Sequence, residues 1–466
     1  MYRSLLTLTL GTLLLSKYAL SAPLVVDAQK QQALTLTLYN QNLGLVRDVR
    51  SIPQLAEGQR LFIEDVSHQM MSETLRVEQA GEILEQNLNT NLISPNSLLQ
   101  AHVGKSLKLA RSNPATGQET LYDIKLLSVQ GNQAVIEKNS QVEIIPSNSS
   151  GWRFIFPTIP VGMQSRPSLE ILSNGTSKSS QAVLTYLTQG MNWHMDYAIN
   201  LNNEGTQLSL DGLATLSNQT GVDYPDSRIF LMAGQVNQQT PIRFKQPRAA
   251  MMAMSDTAES GQPQQLQDYQ LYKLPHKTTL LNNQTKQVKL ISASNVNVSQ
   301  AYQYNFPVYA ALNRSEQEAK PDIELAFNNH KSDGLGFPLP AGTARVFSPD
   351  PNGIKQFIGS AQIRHTAEGQ QVKLPIGKAF DLTIKQRQSN FKKNYDSHLV
   401  SHELTVRNSR AKPATIKLNA DFSQPWSVEE SNQPFKKISA SRAQWTVTVP
   451  GNQEIIVTFR ANLSKN

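Results

Sequence analysis

The strongest constraint on this chain is an alternation of apolar and polar residues with period two, resumed in segment after segment and broken each time by turn residues. Leu34-Thr35-Leu36-Thr37-Leu38 is the first example. Successive side chains of an extended chain point to opposite faces, so this pattern marks a strand with one buried side. Asn40-Gln41-Asn42 breaks it, and Gly44-Leu45-Val46-Arg47-Asp48-Val49 resumes it. No stretch carries the 3.6-residue period of an amphipathic helix longer than a few turns. The predicted fold class is all-β, built from several linked β-sandwich or small-barrel modules. With 466 residues and no cysteine, such a chain holds together by burial and not by cross-links.

Turn signals divide the sequence. Residues 22–94 read as an N-terminal β region with short strands at Leu61-Phe62-Ile63 and Thr74-Leu75-Arg76-Val77. Residues 95–147 read as a compact small β-barrel of SH3-like type. A helical turn opens it, with Ser94 as cap and Pro95 at the first helical position. Strands around Leu107, Ile124, Val135 and Ile144 follow, spaced by tight turns. Residues 148–245 fit a β-sandwich with strands at Ala182–Leu187, Asp196–Leu201, Leu208–Leu216 and Arg228–Ala233. Residues 246–265, rich in Met, Pro and Gln, read as a disordered linker. A further β region occupies 266–377, and 378–466 reads as an immunoglobulin-like sandwich.

Residues 1–21 have the form of a signal peptide. Arg3 supplies positive charge, Leu5 to Leu15 an apolar run, and Ala19-Leu20-Ser21 the small residues of a cleavage site. The apolar run is shorter than the ~20 residues that span a bilayer, and no later segment reaches that length. The expected location is the periplasm or outer surface of a Gram-negative bacterium, with no transmembrane segment in the mature chain. The formal charge of +8 comes from 44 basic and 36 acidic residues, and no basic run exceeds two adjacent residues, as at Lys392-Lys393 and Lys436-Lys437. Nucleic-acid binding requires a concentrated basic stripe, so that class is excluded.

Four constellations bear on chemistry. His398 and His402 are four apart beside Glu403. On a helix they would share a zinc ligand face, but their surroundings are strand-like, where four residues span ~13 Å. Met251, Met252 and Met254, and separately Met191, His194 and Met195, supply soft donors of the type that holds Cu(I). Ser389-Asn390-Phe391-Lys392 matches a Ser-x-x-Lys pattern without the helix or the companion motifs that chemistry uses. Trp152, Trp193, Tyr197, Tyr302, Tyr304 and Trp426 offer aromatic surface, and Trp152, Trp193 and Tyr197 are the candidate ligand-surface residues. No catalytic, cofactor-binding or metal-binding residues are assigned, and no cofactor is expected.

Several phrases occur together in order: Tyr39-Asn40-Gln41-Asn42-Leu43-Gly44, Ile93-Ser94-Pro95, Leu184-Thr185-Tyr186-Leu187-Thr188-Gln189-Gly190-Met191-Asn192-Trp193 with Asp196-Tyr197, Leu231-Met232-Ala233-Gly234, and Pro338-Leu339-Pro340-Ala341-Gly342-Thr343. On these the chain resembles the domain-of-unknown-function 4139 family of exported bacterial proteins, itself distantly similar to the C-terminal part of mucoidy-inhibitor proteins. The resemblance implies a β-rich envelope protein. It implies no activity and carries over no catalytic residue. The expected function is non-enzymatic binding of a cell-envelope component or protein partner; the alternative is an envelope hydrolase acting on glycan or peptide.

Overall fold

The computed structural model describes residues 24–114, 116–149, 151–175, 179–234, 236, 263–266 and 269–464. The signal segment and residues 246–262 of the expected linker lie outside these residues, while the linker's last three residues belong to the strand Pro263–Leu266. The fold is all-β, as expected, with a single short α-helix among the described residues. The chain divides into two compact units, each assembled from separated segments.

The first unit combines residues up to Leu34 with Leu45–Gln189 and Thr220–Val222. One of its sheets has the order Leu24–Val26, Arg60–Glu64, Ser168–Ser173, Ile83–Asn89. Strands about a hundred residues apart thus lie side by side, with Leu169 opposite Ile63 on one flank and Leu88 on the other. Val46 and the Asp48–Arg50 pair sit on the strand Gly44–Ser51, which belongs to another sheet. Arg50 is fully buried, donating to Asp48 Oδ2 at 2.8 Å and to the backbone carbonyls of Val26, Glu64 and Asp65.

The expected small barrel is an open sheet of five strands, in the order Gln141–Pro146, Gln133–Lys138, Glu119–Gln130, Ser106–Ser112, Trp152–Ile155. Closure needs hydrogen bonds between the first and last strands. Here the last strand has four residues and, among the described strands, pairs with Ser106–Ser112. The helix Pro95–Ala101 covers one end of its core through Leu99. Its start is as the sequence dictates: the Ser94 hydroxyl accepts from the Ser97 amide, and Pro95 stands where no intrahelical N–H is needed.

In the second unit (Thr35–Gly44, Gly190–Gln219, Asp223–Asn466), a five-stranded sheet runs Gln284–Asn297, Gln207–Asn218, Met191–Leu201, Gly342–Pro349, Lys355–Ile363. On Met191–Leu201 the odd residues Met191, Trp193, Met195, Tyr197 and Ile199 are buried, while the even ones face outward. Gly342 is required by close approach: a Cβ there would lie 2.2 Å from the Met195 carbonyl oxygen on the parallel neighbour. Gly44 is similar, its missing Cβ leaving room for the Met191 side chain.

The C-terminal part is a two-sheet sandwich. One sheet runs Gln371–Lys378, Asp322–Asn328, Ser299–Val308, Ala414–Phe422, Arg442–Val449, Phe435–Ser439. The other runs Gln317–Ala319, Leu382–Lys393, Ser397–Asn408, Gln453–Ser464, Trp426–Ser431. Between them lies one continuous core holding Phe306, Leu404, Leu418, Trp445 and Phe459. Strands from before residue 378 complete it, including a parallel pair that sets Tyr302 opposite Ile416.

Candidate functional site

Trp193 and Tyr197 do not form a ligand surface. Both are buried at the inner face of Met191–Leu201, at 2% and 1% exposure. The Trp193 indole N–H donates to the Met232 carbonyl at 3.0 Å, and the Tyr197 hydroxyl donates to the Pro340 carbonyl at 2.6 Å. Burial, with Tyr272 nearby, pushes the Tyr197 phenol well above its ordinary pKa. These rings do what large amphipathic aromatics do in sandwich cores: they supply apolar area and place one polar atom on a partner. Trp152 is half-buried at the rim of the small sheet, with the Arg111 guanidinium over its ring at 5.0 Å. Trp426 stacks on Phe422 at 4.3 Å and carries Lys437 on its ring, and Tyr302 and Tyr304 pack with the sandwich core.

The shared sequence phrases therefore meet in packing. Trp193 reaches Met232, Tyr197 reaches Pro340, Gly342 fits against Met195, and the Gly190 amide donates to Asn42 Oδ1 at 3.0 Å. Four of the phrases, from across the chain, are fold determinants of a single unit.

Strand geometry also takes apart the proposed ligand sets. His194 faces outward, whereas Met191 and Met195 face the core, so the three cannot meet on one ion. Met251, Met252 and Met254 lie outside the described residues. His398 and His402 sit on one extended strand, Ser397–Asn408; His398 stacks on Phe391 and His402 on Phe459. Among the described residues, no group of three or more His, Asp or Glu side chains converges as a metal site. Ser389 occupies a β-bulge on Leu382–Lys393, not a helix start.

Two places bring polar chemistry together. The first is the outer face of the five-stranded sheet in the second unit. Asp196 accepts from the Thr215 hydroxyl at 2.7 Å and from Arg345 at 2.8 Å, and lies 3.2 Å from His194 Nε2. Gln287 donates to Thr215 at 3.0 Å, and Asp211 pairs with Lys289 at 2.7 Å. Burial pulls the Asp196 carboxyl upward, but Thr215, Arg345 and His194 outweigh it and hold the pKa below the ordinary value. Asp211 is held low by Lys289 and Ser292. Carboxylates fixed as anions and paired with cations suit recognition better than proton transfer, which asks for a pKa near the working pH. The sequence signal was present in the alternation: His194 and Asp196 are two apart on a strand and so share its outer face.

The second is an open depression of about 490 Å³ over the C-terminal sandwich, bordered by Ser389, Asn390, Ser401, His402, Glu430 and Arg460. Arg460 and Glu430 neutralise each other at 2.9 Å. The His402 ring lies beneath, 5% exposed, stacked on Phe459 at 5.4 Å. Neither ring nitrogen has a hydrogen-bond partner among the described residues, and burial pushes the pKa down to about 4. This imidazole is a neutral group at the floor of the depression, with both ring nitrogens buried.

These features define a protein of stacked antiparallel and mixed sheets that presents ion-paired strand faces to solvent. The model of the family described as Domain of unknown function (DUF4139) matches residues 182–464, well over half of the chain, and the chain belongs to that family. The matched region includes the Asp196 face and the entire C-terminal sandwich. No curated protein matches the chain.

Proposed function

We propose that this is an exported, non-enzymatic, β-rich envelope protein of a Gram-negative bacterium that binds a cell-envelope component or a protein partner, in the periplasm or at the outer surface. The observation that carries this reading is the Asp196 face, where the exposed His194 and Arg345 side chains flank Asp196, whose carboxylate also accepts from the buried Thr215 hydroxyl. Preorganised polar groups on a sheet bind with a smaller ordering cost in the side chains. The leader pattern at Arg3 to Ser21 supports export.

The test is co-sedimentation of the mature full-length chain with isolated peptidoglycan and with outer-membrane fractions, at low and high salt. Retention that persists in high salt supports a specific binder. Retention abolished by salt reduces the interaction to the net positive charge, because salt screens exposed charges beyond ~10 Å at 0.1 M. An envelope hydrolase is the second reading, favoured by the His194–Asp196 pair beside hydroxyl groups. Release of soluble glycan or peptide fragments during the same incubation, lost in His194→Gln, would support it over binding.

A further inference from the structure

The strand Gln141–Pro146 ends the five-stranded sheet of the first unit. It is joined to Gln133–Lys138 by a two-residue hairpin whose central residues, Asn139 and Ser140, have φ of 50° and 63°. That turn is the mirror-image type favoured by tight hairpins. The flanking residues Lys138 and Gln141 then form a hydrogen-bonded pair, and such pairs alternate along an antiparallel ladder. Glu143 and Ile145 turn their N–H and C=O groups toward the sheet. Val142 and Ile144 turn theirs away from it.

The same two residues expose their side chains, at 66% each, while Ile145 on the other face is buried in the small core. Glu143 is tied to Lys138 at 2.8 Å. The edge therefore combines free ladder groups with an apolar outer surface.

Other edges of the molecule are guarded. Phe435–Ser439 carries Lys436 and Lys437 and a register break. Gln284–Asn297 carries Lys286 and Lys289 and two register breaks. Leu24–Val26, Arg76–Glu78 and Gln317–Ala319 have three residues each. Lysines, bulges and shortness are the usual defences against strand capture. Gln141–Pro146 has six residues, pairs without a break and contains no Lys or Arg.

We propose that Gln141–Pro146 is a docking edge that takes up an extended segment of a partner protein by antiparallel strand addition. The partner segment has apolar residues opposite Val142 and Ile144 and a basic residue opposite Glu143. Backbone hydrogen bonds to the outward groups hold the strand, and the alternate side chains select it.

A second copy of this chain fits less well. The two-fold register that sets Val142 against Ile144 of the other copy sets Glu143 directly opposite Glu143, at a Cα separation of ~4.5 Å in such a pair. Like charges so placed are destabilising. The register centred on Ile144 sets Pro146, which has no N–H, against Val142. A strand with a basic residue at the centre relieves both problems.

The inference rests on the binding reading for the existence of a partner, but its geometry is tested separately. The probe is the capped, fluorescein-labelled peptide Thr-Val-Thr-Val-Lys-Val-Thr-Val-Thr, added to the full mature chain. Anisotropy should show saturable binding. Hydrogen exchange should show the Val142 and Ile144 amides slowed at least tenfold, with the buried strands unchanged. The double substitution Val142→Lys with Ile144→Lys places charges on already exposed positions, so it should leave circular dichroism and Tm unaltered and abolish binding. The same peptide with alternate backbone nitrogens methylated should fail to bind.

Absence of binding at millimolar peptide, binding unaffected by the double substitution, or protection elsewhere would overturn the proposal. So would concentration-dependent self-association in sedimentation that the double substitution removes. Peptide binding without envelope retention would remove the envelope reading and keep the edge. Envelope retention untouched by the double substitution, together with failure of the peptide, would remove the edge and keep the envelope reading.

Discussion

His402 gives the sandwich a calculable sensitivity to acid. Its ring is stacked on Phe459 and tilted against Phe306, with both nitrogens buried and unpartnered among the described residues. Beside His402 and its cross-strand partners on the same sheet stand the Arg460–Glu430 and Arg387–Glu403 pairs, each already neutralised. Burial lowers the histidine from its ordinary 6.5 to about 4 in the folded chain. The unfolded chain therefore binds the proton first as the pH falls. Stability is complete above pH 6.5, declines between 6.5 and 4, and is constant below that with respect to this group. At about 1.4 kcal/mol per unit, the full loss is about 3 kcal/mol, and most of it has gone by pH 4.5.

His402→Phe removes the titrating group and keeps an aromatic ring against Phe459. It should leave stability at pH 7.5 within about 1.5 kcal/mol of the parent, as volume-conserving core exchanges do. Urea unfolding of both proteins at pH 7.5 and 4.5, followed by tryptophan fluorescence, gives the comparison. The parent should lose about 2–3 kcal/mol more than the variant on acidification. Equal losses would mean that the ring is solvated or partnered, and that this account of the core is wrong.

Three further outcomes follow from packing. Gly342→Ala places a methyl against the Met195 carbonyl and should cost about 3 kcal/mol, lowering Tm by roughly 5 °C in calorimetry. Arg50→Met leaves Asp48 buried without its cation and should cost about 3–5 kcal/mol, whereas Arg50→Met with Asp48→Leu should regain most of that in denaturant unfolding. Trp193→Phe deletes the indole donor to Met232 and should cost about 2 kcal/mol, read as a shifted urea midpoint with unchanged slope.

Strand existence was legible because alternation reports which face of a segment is buried. The Ser94 cap, the turn at Gly131-Asn132 and the strands of the last hundred residues follow from local rules. Pairing was not legible. Nothing in Leu61-Phe62-Ile63 says that its neighbour is Leu169-Glu170-Ile171, because alternation fixes a face and leaves the partner strand open. For the same reason Gln141-Val142-Glu143-Ile144 reads as an ordinary strand, and its position at an edge emerges only from the sheet. Trp193 and Tyr197 are a different case. Their burial is readable, since Met191, Trp193, Met195, Tyr197 and Ile199 alternate with polar or small residues. Gly342 and Gly44 in the shared phrases gain their meaning from close contacts that no local pattern encodes.

The most direct test of the account is hydrogen–deuterium exchange of the full mature chain, free and bound to whichever envelope fraction retains it in high salt. The account predicts slowed exchange confined to solvent-facing strands, at Gln141–Pro146 or across the Asp196 face, with the buried strands unchanged and no fragments released from the envelope material. Release of fragments, or an exchange pattern identical in the free and bound chain, would contradict it.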